Sequence, residues 1–152
     1  MPPTVPAPAR DLVLLLARVG IGVVFIAHGW QKLFTNGIEG TAGFFSSVGV
    51  PLPTASAWFA ALVELVGGAA LVLGLGTLVV GVLLALQMLG AYVFVHAGNG
   101  LFVTESGWEL VLALGAAALV LAAVGPGRYS LDHVLDGRRR GAGRSSSRAA
   151  RV

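Results

Sequence analysis

The chain of 152 residues contains no cysteine, so it forms no disulfide, offers no thiolate to an iron–sulfur cluster and cannot exchange electrons through a dithiol of its own. Any redox role must be borrowed from a bound cofactor or a partner. Charge is the second scarcity: Asp, Glu, Lys and Arg make up 11% of the residues, against about 25% in ordinary soluble domains. What charge there is gathers at the ends. Arg10 and Asp11 lie at the start; Arg128, Asp132, Asp136, Arg138, Arg139, Arg140, Arg144, Arg148 and Arg151 lie at the end. That leaves Arg18, Lys32, Glu39, Glu64, Glu105 and Glu109 for all of Leu12 to Gly127. Six charges cannot cover a water-facing surface of that length, so a soluble domain is excluded, and 56% hydrophobic residues point to a polytopic membrane protein. The net charge of +3 sits almost wholly in the C-terminal tail, where it sets topology or touches anionic lipid rather than nucleic acid.

Four apolar runs cover 12–30, 55–75, 77–96 and 108–124. At 1.5 Å per residue each is near the length that crosses a ~30 Å hydrocarbon core, the last being the shortest. Arg18 interrupts the first run and no small-residue cleavage site ends it, so it reads as a membrane helix rather than a signal peptide. Gly74-Leu75-Gly76 permits only a tight turn between the second and third runs, and Gly125-Pro126-Gly127 stops the fourth. The expected fold is an all-α, four-helix membrane bundle over 12–136. A Pro-rich disordered tail (1–11) precedes it, and a disordered Arg/Ser-rich tail (137–152) follows near the inner leaflet, free to touch a soluble partner. The loops 31–54 and 97–107 hold only Lys32 as a cation, so the positive-inside rule places both termini in the cytoplasm. Phe44-Phe45 would form a re-entrant or interfacial stretch of the long first loop. Trp30, Trp58 and Trp108 read as anchors at the outer boundary.

Polar residues inside apolar runs are expensive. An Arg or Asp at a helix centre costs about 2.5 to 3.5 kcal/mol on insertion scales, so Arg18 and Glu64 are expected to pair. With Trp30 and Ala55 set at one membrane face, Glu64 falls level with Ile21 or Gly22, one turn from Arg18. Gly22 and Gly29 on one helix, and Ala57, Ala60, Ala61, Gly67 and Gly68 on the other, permit the close approach such a pair requires. The pair is then either a structural clasp or part of a ligand, proton or gating site. His28, Lys32, His96, Glu105 and Glu109 map to the outer side. Two histidines on different helices could ligate haem or a metal, but both sit at span ends, which favours a quinone or other head group. Gln87 is out of phase with His96 and is expected to hydrogen-bond another helix, while Tyr92 and His96 line the opposite side. No nucleophile with a base, phosphate loop or zinc motif is present, so the isolated chain does not read as a self-sufficient enzyme. Homo-oligomerisation is compatible with this reading.

The chain resembles the DoxX family of small four-helix bacterial membrane proteins. The resemblance rests on Arg18-x-Gly20, His28-Gly29-x-x-Lys32, Glu64-x-x-Gly67-Gly68 with Leu71 and Gly74, His96, Glu109, and Gly125-Pro126-Gly127-x-x-Ser130-Leu131-Asp132. It covers roughly Asp11 to Asp136. The resemblance implies residence in the bacterial inner membrane and association with redox systems. Relatives of this type include subunits of quinone-linked thiosulfate oxidation and membrane partners of soluble oxidoreductases and superoxide dismutase. By the same resemblance Arg18, His28, Lys32, Glu64, His96 and Glu109 are the recurrent polar positions. The absence of cysteine separates this chain from relatives thought to handle disulfides. Two functions are therefore expected to compete: a redox-associated subunit that binds a quinone or docks an oxidoreductase, and a small-molecule carrier or assembly scaffold built on the Arg18–Glu64 pair. Neither half of the chain repeats the other, which speaks against a repeat-built carrier.

Overall fold

The computed structural model describes residues 6–138; the expected disorder of 1–5 and 139–152 lies outside them. Among the described residues all regular structure is helical. Helix α1 (Ala7–Trp30) begins inside the stretch read as a tail and runs on through a π-helical turn, Gln31–Thr35. Its signature is the Asn36 amide donating to the Gln31 carbonyl at 2.9 Å. Helix α2 (Gly37–Ser47) follows, so the segment expected to be a loop carries a helix of its own, which packs against α3. Helix α3 (Pro53–Leu73) turns tightly into α4 (Thr77–Ala91), which ends in a second π turn, Tyr92–His96. A short 3₁₀ turn, Val103–Glu105, precedes α5 (Glu109–Val124), and α6 occupies 131–138.

The α3–α4 turn forms for a local reason. Gly74 and Gly76 both take positive φ, +66° and +58°, and the Leu75 and Gly74 amides close back on the Ala70 and Leu71 carbonyls at 2.9 and 3.0 Å, the paired bonds of a Schellman motif. The helices therefore alternate in direction. One end of the molecule carries Ala7, the α3–α4 turn and the segment after Val124, and is called the terminal end below. The opposite, loop end carries both π turns and α2.

Packing is closest within two pairs, α1 with α3 and α4 with α5. Small residues make this possible. A Cβ on Gly22 would come within 2.6 Å of the Gly68 carbonyl, and one on Gly29 within 2.5 Å of the Leu65 amide nitrogen. On the other pair, a Cβ on Gly81 would meet the Ala118 carbonyl at 2.7 Å. Gly67 instead faces the Leu84 side chain across α3 and α4. The buried core is Leu14, Phe25, Leu71, Leu84, Met88, Leu114, Ala118 and Leu121. Leucine and valine also cover the outside, with Leu16, Val66, Leu78, Val79, Leu86 and Val120 all exposed, while Arg18 and Glu64 are buried. Apolar outside with charge inside is the arrangement lipid selects. Three helical stretches are long and apolar enough to cross a membrane, Ala7–Thr35, Pro53–Leu73 and Thr77–His96. Glu109–Val124, expected to be a fourth span, is a shorter apolar helix, reaching only about 24 Å at 1.5 Å per residue.

Candidate functional site

Glu64 is 3% exposed, yet its partner is not Arg18. Lys32 Nζ donates to Glu64 Oε2 at 2.5 Å, and Gln87 Nε2 donates to Glu64 Oε1 at 3.0 Å. The expected Arg18–Glu64 pair is corrected accordingly, and two physical causes account for the difference. First, α1 does not stop at Trp30, so Trp30 and Ala55 do not mark one level. The contacts of Gly22 with Gly68 and of Gly29 with Ala61 set a register displaced by about five residues, or ~7 Å, which puts Glu64 level with Ile26. Second, side chains lean toward the N-terminus of their own helix. In antiparallel α1 and α3, Lys32 and Glu64 therefore lean toward one another, whereas Arg18 leans away, toward the terminal end.

The loop-end cluster draws on four helices, α1 with its π turn, α2, α3 and α4. Lys32 is fixed through its backbone, whose carbonyl accepts the hydroxyl of buried Thr41 on α2 at 3.1 Å. Gln87 crosses from α4 and also donates to the Ala60 carbonyl at 3.0 Å. These two donations fix the orientation of its amide and leave Gln87 Oε1 buried without a donor. His28, one turn before Lys32, is half-buried and within electrostatic reach of both Lys32 and Glu64. The cluster thus presents a cation, a carboxylate and an unpaired amide oxygen among apolar side chains. Both π turns lie at this end, one carrying Lys32 and the other His96; such turns recur at functional sites because they re-aim side chains off the regular helical face.

His96 and Glu109 do different work. His96 Nδ1 lies 2.7 Å from the Ser106 carbonyl, and Glu109 Oε1 accepts the Val103 amide at 2.7 Å. Both bonds shape the 97–108 loop, and neither residue bonds to Glu64, Lys32 or His28. Tyr92 packs edge-on against Trp108 with ring centroids 6.2 Å apart, lining an apolar groove of about 400 Å³ between α4 and α5. Among the described residues no group of three His, Asp or Glu is placed to hold a metal ion.

Arg18 belongs to a second cluster at the terminal end. Fully buried, it donates through Nη2 to the Tyr129 carbonyl, while its Nε and Nη1 have no protein partner. Gly74 makes room for it, since any Cβ there would overlap the guanidinium. Asp132 accepts the Gly76 and Thr77 amides at 2.8 and 3.1 Å and so caps α4 from 55 residues away in sequence. The Asp132 amide in turn donates to the Gly74 carbonyl at 3.0 Å. Asp11 accepts the Arg128 amide at 3.1 Å. The Gly125–Asp132 stretch is therefore a strap tied to α1 and to the α3–α4 turn.

Sequence reasoning omitted Gln87 and Thr41 from the loop-end site and Asp132 from the terminal one. One usable signal was present. The buried stripe of α1 runs Leu14, Arg18, Gly22, Phe25, Gly29, and its next step of three is Lys32. Extending that periodicity past Trp30 turns Lys32 toward α3. Nothing in the sequence marked Asp132 as a cap for a helix it does not adjoin.

The chain is similar in sequence to known membrane proteins. The DoxX family model matches residues 13–97. The chain is 38% identical over 111 residues to the putative oxidoreductase CatD of Bacillus subtilis, covering 73% of this chain and 79% of that one. It is 32% identical over 129 residues to the inner membrane protein YphA of Escherichia coli, covering 82% and 91%. It is also 32% identical over 131 residues to YqjF, another inner membrane protein of that organism, covering 84% and 95%. No solved structure matches. With long apolar helices, charges buried between them at Arg18 and Glu64 and a family match over more than half its length, the chain is a multi-pass membrane protein that belongs to the DoxX family.

Proposed function

We propose that this protein is a redox-associated subunit of a bacterial inner-membrane complex, a four-helix bundle with both termini in the cytoplasm, whose loop-end cluster binds a quinone head group or seats an oxidoreductase partner. The observation that carries the reading is the Lys32–Glu64–Gln87 cluster, with its buried unpaired Gln87 Oε1. An oxidised head group presents carbonyl oxygens and needs donors, which the Lys32 ammonium supplies. A reduced head group presents hydroxyls and needs acceptors, which Glu64 and Gln87 Oε1 supply. A site with both kinds of group within hydrogen-bonding reach of one another suits a ligand that alternates between the two. Quinone, when bound, would carry two electrons and two protons; Lys32 and Glu64 would orient it and exchange protons at Nζ and Oε2. With no cysteine in the chain, the electrons come from a partner or a bound cofactor, and the relative CatD bears the name of an oxidoreductase.

The carrier or scaffold reading loses its clasp, because Arg18 and Glu64 do not meet and Arg18 is locked beneath the strap. Native mass spectrometry of gently solubilised protein tests the proposal. Retained quinone or a co-purifying oxidoreductase, lost in Glu64→Gln and Lys32→Met variants that remain folded, is the expected result. Protein free of both, together with normal respiration and peroxide tolerance in a deletion strain, would overturn it.

A further inference from the structure

The terminal end carries a feature that neither the family match nor the loop-end cluster explains. Helix α6 is set in place by its own residues. Ser130, 7% exposed, caps it by accepting the His133 amide on Oγ at 3.2 Å, and Asp132 fixes its roll through the amides of Gly76 and Thr77. Those amides project along the α4 axis, so Asp132 points back at the helical body. The apolar residues of α6 recur at i, i+3 and i+4: Leu131, Val134 and Leu135 are 41%, 47% and 42% exposed, and Tyr129 just before them is 56% exposed. At 100° per residue their stripe lies roughly 110° around the helix from Asp132. The stripe and the Asp132 tie thus lie on different faces of α6, so the tie leaves the stripe uncovered. Asp132, His133 and Asp136 occupy the remainder of the helix. Arg138 returns on the same side as the stripe, and Arg139, Arg140, Arg144, Arg148 and Arg151 follow it in sequence.

From this we infer that α6 is an interfacial anchor: its stripe of Leu131, Val134 and Leu135 inserts at the headgroup–acyl boundary of an anionic leaflet, to which the positive charge of Arg138 and of the sequence after it draws the helix. Two observations favour lipid as the occupant. Asp132 holds α6 at the start of α4, where the span ends expose Leu75, Leu78 and Val124 as the stripe exposes its own apolar residues, and the arginine run in the sequence complements anionic headgroups, each cation being attracted within a Debye length of the surface. An apolar face of this kind flanked by basic residues lies in the interface, not across the membrane. The strap then has a mechanical consequence. Because Asp132 and the Tyr129 carbonyl tie α6 to the α3–α4 turn and to Arg18, the depth of the leaflet surface fixes the depth of the helices.

The absence of cysteine makes the test direct. Single-cysteine variants Val134→Cys, Leu135→Cys and Asp136→Cys of the full chain are spin-labelled and placed in nanodiscs of phosphatidylcholine, with or without phosphatidylglycerol. Labels at 134 and 135 should collide preferentially with oxygen and the label at 136 with a water-soluble nickel complex. Anionic lipid should sharpen that contrast, and replacing Arg138, Arg139 and Arg140 by Gln should remove the sharpening. Equal access of all three labels to the nickel complex would show a water-facing helix and overturn the inference. Dipolar broadening between labels of two copies, abolished by dilution with unlabelled protein, would also overturn it, since a second copy would then cover the stripe.

Discussion

Glu64 is an acid that lipid would otherwise exclude, retained because Lys32 and Gln87 meet both of its oxygens. Removing one partner of a buried ion pair leaves the other charge uncompensated and costs about 3–5 kcal/mol, whereas removing both is often nearly neutral. Lys32→Met should therefore destabilise the protein by about that amount, and Lys32→Met/Glu64→Gln should regain most of the loss. Thermal unfolding in detergent, run as a double-mutant cycle, measures it. A fully additive cycle would show that the two side chains do not interact. Asp132 is the second residue of this kind. Asp132→Ala strips the α4 amides of their cap, a loss of about 0.5–2 kcal/mol, and removes a carboxylate whose charge reaches Arg18. The same unfolding assay should report a fall toward the upper end of that range.

At the scale of elements, glycines separate close packing from mere flexibility. A Cβ on Gly68 would lie 2.6 Å from the Gly22 carbonyl and 2.8 Å from the Ile26 amide nitrogen, backbone atoms that cannot rotate aside. A Cβ on Gly20 would meet nothing within 4 Å. Gly68→Ala should therefore cost about 1–3 kcal/mol by overpacking, while Gly20→Ala should be neutral or stabilise by up to about 1 kcal/mol through helix propensity. Comparable losses from both substitutions would mean that α1 and α3 do not approach as described. The α1–α3 contact matters to the site because it sets the register that brings Lys32 to Glu64. Helix periodicity reveals that α1 has a buried stripe, but periodicity within one helix says nothing about how far it slides along another.

For the whole molecule, the alternating helix directions place Asp11, the α3–α4 turn and α6 at one end and the π turns at the other. Spanning with both termini inside predicts opposite labelling of two exposed positions in intact cells. Asn99→Cys should react with a membrane-impermeant maleimide from outside, and Asp136→Cys only after lysis. Labelling of both from outside would rule out the proposed orientation, whatever the outcome for the site. The strap bears on mechanism at this scale too: tying α1, α3, α4 and the chain after α5 together at the terminal end resists the opening that alternating access requires.

Membrane residence, three of the expected apolar spans, the α3–α4 turn and the end of α5 at Gly125 were legible in the sequence. Each depends on local composition or on the conformational limits of glycine and proline, which act within a few residues. That Arg18 and Glu64 turn inward was legible for the same reason, since a charge inside an apolar run must turn away from lipid. Which partner it finds was decided by tertiary structure alone. Helix register, the lean of each side chain toward its own N-terminus and the continuation of α1 into a π turn sent Lys32 to Glu64 and Arg18 to the strap. Asp132 reached the start of α4 by the same route, across a distance in sequence that no local rule spans.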